Sequence, residues 1–253
     1  MMAPSVPSPR RQATIVLLVS VAITLAMLVL PSRDNVGWLF APFRWLHIYV
    51  HEFGHGIAAL LSGGAFDNFE MYTYSGLAHT RTSGALAQAF VCAGGLCGPA
   101  LVGGIFLAMG RTTRGARLAL TAFGAFMVAS LILWTRTPFG WAFGAIVAAL
   151  ALGVALRGAR FARPVLVFLG VQLALSVYTG GGYLFTQYVE IQNGYRGPSD
   201  VQAMSDALGL PYFFWGIVCT GFSIVVLAVG LWLYLRPSRK AKLPGGLPRS
   251  LAV

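Results

Sequence analysis

The run VHEFGHGIAALLSGG places His51 and His55 four residues apart, with Glu52 directly after the first. On an α-helix the two histidines lie one above the other on the same face. Imidazoles so placed can bind one zinc ion, and Glu52 can hold and deprotonate a water at that ion. The chain has only four His and three Glu. At that frequency a chance match to HExxH is on the order of one in a thousand, so the motif carries weight.

Catalytic zinc takes three protein ligands and keeps a position for water, and the helix supplies only two. The remaining candidates are His47, His79, Asp34, Asp67, Glu70, Glu190, Asp200 and Asp206. His47, His51 and His55 form an i, i+4, i+8 stripe. On a straight helix its ends are about 12 Å apart, too far for one ion, so His47 reads as a supporting or interfacial residue. His79 reads as a polar loop residue, and Asp34, beside Arg33, as a solvated helix flank. Asp200 and Asp206 remain, in GYRGPSDVQAMSDALGLPYFFWG. Ser199-Asp200 and Ser205-Asp206 both look like helix N-caps. One short helix needs a single cap, which leaves the other aspartate free.

The elements that must position these groups are membrane helices. The chain is 57% hydrophobic and 10% charged, with a mean hydropathy of +0.73, a composition foreign to a soluble domain of 253 residues. Residues 1–12 read as a disordered basic tail, and 13–30 as a retained helix rather than a cleaved signal. The HExxH segment spans about 37–62 and stops at Gly63-Gly64. Residues 65–83 alternate weakly and predict a short polar hairpin. Apolar spans recur at 84–110, 116–134, 138–156, 164–187 and 212–235, before a basic tail from 236 to 253. The expected fold is therefore an all-α multi-pass membrane protein of six to seven transmembrane helices, forming one embedded domain over 13–235.

Glycines in AGGLCGPALVGG suit close helix packing, and with Pro99 they also suit a broken helix beside a site. Gly180-Gly181-Gly182 predicts a helix end or an unwound stretch. The three cysteines, Cys92, Cys97 and Cys219, read as small core hydrophobes.

The net charge of +11 would suggest nucleic acid in a soluble protein. Here the basic residues lie between and beyond the apolar spans, where cytoplasmic loops and anionic lipid account for them, so no nucleic-acid partner is expected. The charge rule puts the loops at 111–117 and 157–163 and the C-terminal tail in the cytoplasm. It puts the 65–83 hairpin outside and leaves the orientation of the first two helices open.

The order of HExxH helix, polar hairpin, glycine-rich helix and late aspartate resembles the site-2 protease family of intramembrane zinc metalloproteases. The likeness is to its compact, divergent bacterial branch without PDZ or CBS domains, and it covers roughly residues 40–220. It is carried by VHEFGHGIAALLSGG, by SGLAHTRTSG with AGGLCGPALVGG, and by PSDVQAMSDALGLPYFFWG. The resemblance implies that His51 and His55 are zinc ligands and Glu52 the catalytic acid/base. That branch orders a Ser-Asp-Ala-like element, a Thr-Gly-x-Pro-like element and a Trp. Ser199-Asp200-Val201, Leu208-Gly209-Leu210-Pro211 and Trp215 follow that order, which favours Asp200 as third ligand. The family's Asp-Gly within a membrane helix has no counterpart here, and its usual topology would put the hairpin on the cytoplasmic side.

The expectation is thus a zinc metalloendopeptidase of the inner membrane with one Zn2+ ion. It would hydrolyse peptide bonds of membrane-associated protein substrates with a zinc-activated water and Glu52 as general base. Two rivals differ in class: a membrane scaffold or chaperone that keeps the zinc site without hydrolysis, and a small transporter. The transporter reading predicts internal repeats, and none is evident.

Overall fold

The computed structural model describes residues 9–29, 37–179, 183–192 and 195–236. Seven long helices and one short one are present among them. These are α1 (Pro9–Val29), α2 (Gly37–Leu61), α3 (Ala85–Met109), α4 (Thr113–Leu133), α5 (Pro138–Arg157), α6 (Ala159–Thr179), the nine-residue α7 (Asp200–Leu208) and α8 (Tyr212–Leu235). Helix α1 takes in the last four residues of the segment expected as a disordered tail. Asp34 and Gly180–Gly182 lie outside the described residues.

Five helices (α3, α4, α5, α6 and α8) are long and apolar enough to cross a membrane, and α1 offers a shorter apolar stretch, Thr14–Ala26. Helix α2 matches them in length but carries Arg44, Glu52 and three histidines. Large apolar side chains face outward along α8, among them Ile217, Val225, Val229 and Trp232. That is the surface a bilayer, rather than water, accommodates. The chain is an all-α multi-pass membrane protein.

Helix α3 is the hub. It packs on α2, α6, α7 and α8, and small residues let it do so. A Cβ on Gly94 would lie 2.5 Å from Ala58 Cβ and 2.6 Å from Gly54 O, so the α2 and α3 backbones nearly touch there. Pro99 sits inside α3 without ending it. Neighbouring helices in a membrane protein can re-satisfy backbone groups that a proline frees, and the break allowed by the sequence is not made.

Aromatic packing fixes the rotation of α2. Tyr49 and Phe53, one turn apart, are buried and stacked with ring centroids 4.9 Å apart. Phe53 also meets Phe66, Phe69, Phe126 and Trp134 edge-on. With 49 and 53 facing this cluster, 51 and 55 turn to the opposite side of the helix, toward α3 and α7.

The hairpin after α2 pairs β1 (Ala65–Met71) with β2 (Gly76–Arg81), antiparallel, as its alternation predicts. The other side of β1 is tied to the α4–α5 connection. Phe69 N donates to Trp134 O at 2.8 Å, and Arg136 N to Phe69 O at 2.9 Å. Strand β2 is therefore the edge. A second small sheet, β3 (Tyr188–Gln192) with β4 (Tyr195–Pro198), lies between the last two apolar spans.

Arg163 Nε donates to Gly110 O and Arg117 Nε to Ala155 O, gathering the α3–α4 and α5–α6 loops at one end. The hairpin lies at the other end, where α4 finishes and α5 begins. The two arginine loops thus share one side, as the charge pattern requires.

Candidate metal centre

His51 and His55 project from α2 toward the N-terminus of α7, where Asp200 is the first helical residue. His51 Nε2 lies 3.2 Å from Asp200 Oδ2, His55 Nε2 3.5 Å from Asp200 Oδ1, and the two Nε2 atoms 3.1 Å apart. Four ligands at about 2.0–2.1 Å in a tetrahedron are separated by ~3.3 Å, so these three spacings match one face of a zinc tetrahedron. The fourth vertex is left to a water or substrate. The three side chains are 10–13% exposed, enclosed yet reachable.

The hydrogen bonding is compatible with that. His55 Nδ1 is 2.9 Å from Val91 O. A carbonyl only accepts, so Nδ1–H donates, and in the neutral ring Nε2 is then the nitrogen left to ligate a metal. Anchoring the far nitrogen of a ligating histidine on a carbonyl is how metal sites fix ring orientation. The donor set therefore fits a zinc ion.

Gly95 makes room for the site. A Cβ there would run into the His55 ring at Cε1 and Nε2. Asp200 is free to face the histidines because Ser199 takes the capping role. The Ser199 hydroxyl accepts from Gln202 N and donates to Thr186 O. Asp206 is turned away, its carboxylate accepting from Gln202 Nε2 on the exposed face. Of the two Ser-Asp pairs that the sequence left open, the first is the one whose aspartate lies beside the histidines.

Glu52, next to His51, accepts a hydrogen bond from Ala78 N of β2 at 2.9 Å. His47 stands one turn below His51, with ring centroids 5.7 Å apart and Nδ1 on Ser176 Oγ at 2.8 Å, outside the cluster. His79 is 3.8 Å from Glu70 on the exposed hairpin face. Asp67 is paired with Arg81, whose guanidinium holds the carboxyl below the usual carboxylate range. All three cysteines are buried and free. Cys97 and Cys219 help line an apolar cavity of about 790 Å³ that also borders Phe53, Gly54, Gly94 and Trp215. Sequence reasoning missed Val91 and Ala78 and marked Gly95 only as one of a run of small residues, since the part each plays depends on which backbone meets which side chain.

Fold and site together define a multi-pass membrane protein with an HExxH helix and a carboxylate brought to it by a second helix, the arrangement of a metallopeptidase-type centre. A family described as Peptidase M50B-like matches residues 18–230, and the chain belongs to it. No curated protein and no solved structure matches the chain.

Proposed function

We propose that this peptidase-family member is an intramembrane zinc metalloendopeptidase of the inner membrane, cleaving membrane-associated protein substrates. One observation carries the reading: His51, His55 and Asp200 present donors at the spacing of a zinc tetrahedron's face, beside Glu52, within a helical membrane bundle. When bound, zinc acts as a Lewis acid and makes water nucleophilic at neutral pH. The chain does the rest. His51, His55 and Asp200 hold the ion, and Glu52 takes the proton of the attacking water and passes it to the leaving amine.

A helical peptide resists attack because its carbonyls are hydrogen-bonded, so the substrate must be held extended. The edge of β2, apart from the Ala78 N–H that Glu52 already accepts, offers backbone groups for that by strand addition. The apolar cavity beside Gly54 and Gly94 gives apolar substrate side chains a place without leaving the bilayer. With the arginine loops in the cytoplasm, the hairpin end of the bundle faces outward.

The deciding experiment uses purified protein with one equivalent of zinc and unfolded β-casein as probe. Glu52→Gln should keep the metal and lose roughly 10²–10⁴-fold in cleavage rate, the span attributed to a positioned acid/base. A wild-type protein that binds no zinc refutes the reading. Zinc binding with no cleavage, and a Glu52→Gln variant that leaves the cellular phenotype intact while His51→Ala abolishes it, would favour a non-proteolytic scaffold.

A further inference from the structure

Hydrogen-bond parity identifies which groups of β2 face outward. Phe69 spends its N–H and C=O on Trp134 and Arg136, and Met71 spends both on Thr137 Oγ1, all on the side away from β2. Their cross-strand partners are Ala78 and Gly76. In an antiparallel pair, residues opposite such positions are non-hydrogen-bonded partners, so Ala78 and Gly76 also direct their backbone groups outward. The outward N–H of Ala78 ends on Glu52 Oε2 at 2.9 Å. Two residues earlier, a Cβ on Gly76 would lie 2.7 Å from Glu52 Cγ and 2.7 Å from Ile48 Cγ2. The strand therefore closes on Glu52 at two points, with a donor on its carboxylate and a missing side chain beside its methylene.

We propose that Ala78 is a positioning residue, its backbone N–H holding the Glu52 carboxylate in place to receive the proton of the attacking water. This rests on the reading of Glu52 as general base. Glu52 is attached to α2 through a flexible stem, and α2 fixes only its Cα. A hydrogen bond to an ionised carboxylate is among the stronger ones and sets where the charge sits. The side chain of Ala78 has no part in this, which separates the role from ordinary packing. Gly76 is the complementary element, since any larger residue there would displace what Ala78 holds.

Two measurements on the full 253-residue chain test this. The first needs no turnover. With Ala 15N-labelled and Leu carbonyl 13C-labelled, only the chain's nine Leu–Ala amides are selected; the Leu77–Ala78 signal is assigned by its loss in Ala78→Gly, and its proton should move upfield in Glu52→Ala. An unchanged shift overturns the proposal. The second is cleavage of unfolded β-casein by zinc-loaded protein. Ala78→Pro removes the donor at a position that gives no N–H to the β1–β2 ladder, and Ala78→Gly keeps it. Ala78→Pro should lose roughly 10²-fold in kcat with KM within twofold, the scale of a 1 Å misplacement, while Ala78→Gly stays near wild type. Gly76→Ala should repeat the kcat loss, which keeps the test decisive if the proline variant folds poorly. A rise in KM with kcat unchanged assigns the N–H to substrate pairing and overturns the positioning role. Inactive wild-type protein would sink the peptidase reading, and the amide shift would still decide the contact.

Discussion

Gly95→Ala should cripple metal binding although it adds one methyl group and touches no charge. The new Cβ would overlap Cε1 and Nε2 of His55. Restoring ordinary van der Waals contact needs a displacement of about 1 Å. The ring has little freedom to provide it, because its Nδ1–H is held by Val91 O at 2.9 Å and that carbonyl belongs to α3, the same helix as Gly95. Retreat of α3 as a whole would open the Gly54–Gly94 contact, where the backbones already nearly touch. Metal–ligand distances tolerate only about ±0.2 Å, so a 1 Å shift removes Nε2 from coordination. Altering a partner of a ligand typically costs 10–100-fold in metal affinity. Displacing the ligand itself should cost at least 10²-fold, or about 2.7 kcal/mol. Competition with a zinc-chelating dye in detergent micelles measures this directly. Gly153→Ala on α5 serves as control, since a Cβ there meets nothing within 4 Å. Zinc affinity of Gly95→Ala within threefold of wild type would refute the account of Gly95.

The two aspartates near α7 should separate sharply. Asp200→Asn should lower zinc affinity by more than tenfold, whereas Asp206→Asn, whose side-chain oxygen can still accept the exposed bond from Gln202, should leave zinc stoichiometry unchanged. The reverse result in a metal assay would overturn the ligand assignment. On the hairpin, Arg81 lowers the Asp67 pKa, so the pair's contribution to stability is present above the ordinary value of about 3.9 and is lost as pH falls through the lowered one. A carboxyl 13C titration should therefore find the Asp67 midpoint below 3.9, returning toward it in Arg81→Gln. Because the pair is exposed, salt should weaken the effect.

Much of the frame was legible because it depends on local pattern. The spacing of His51 and His55 puts both on one helix face whatever surrounds them, and hydropathy marks most spans to within a few residues. The hairpin after α2 announced itself by alternation. Asp200 was a different matter. Residues 199–206 offer two equivalent Ser-Asp pairs, and only the docking of α7 against α3 decides which carboxylate meets the histidines. The β3–β4 hairpin was missed although Asn193-Gly194 between Tyr188–Gln192 and Tyr195–Pro198 is a strong turn signal. Pro99 left a packed and a broken helix equally open, since its helix is sustained by neighbours that no local window contains. The contact of Gly95 with His55 and the role of Ala78 lay beyond sequence reasoning. Each matters through a contact with a residue tens of positions away, made by backbone or by the lack of a side chain.

The distance along the chain between the histidines and Asp200 has a consequence for biosynthesis. His55 leaves the ribosome 145 residues before Asp200, and translation at about 5–20 residues per second makes that a delay of roughly 7–30 seconds. During that interval α2 and the hairpin can enter the bilayer carrying two imidazoles and a base, but no third ligand. The centre is completed only when α7 docks, after the six preceding long helices have been made. On the proposed reading a nascent chain is thus assembled before it is armed, and the aspartate that would hold the metal would also time the onset of the proposed activity.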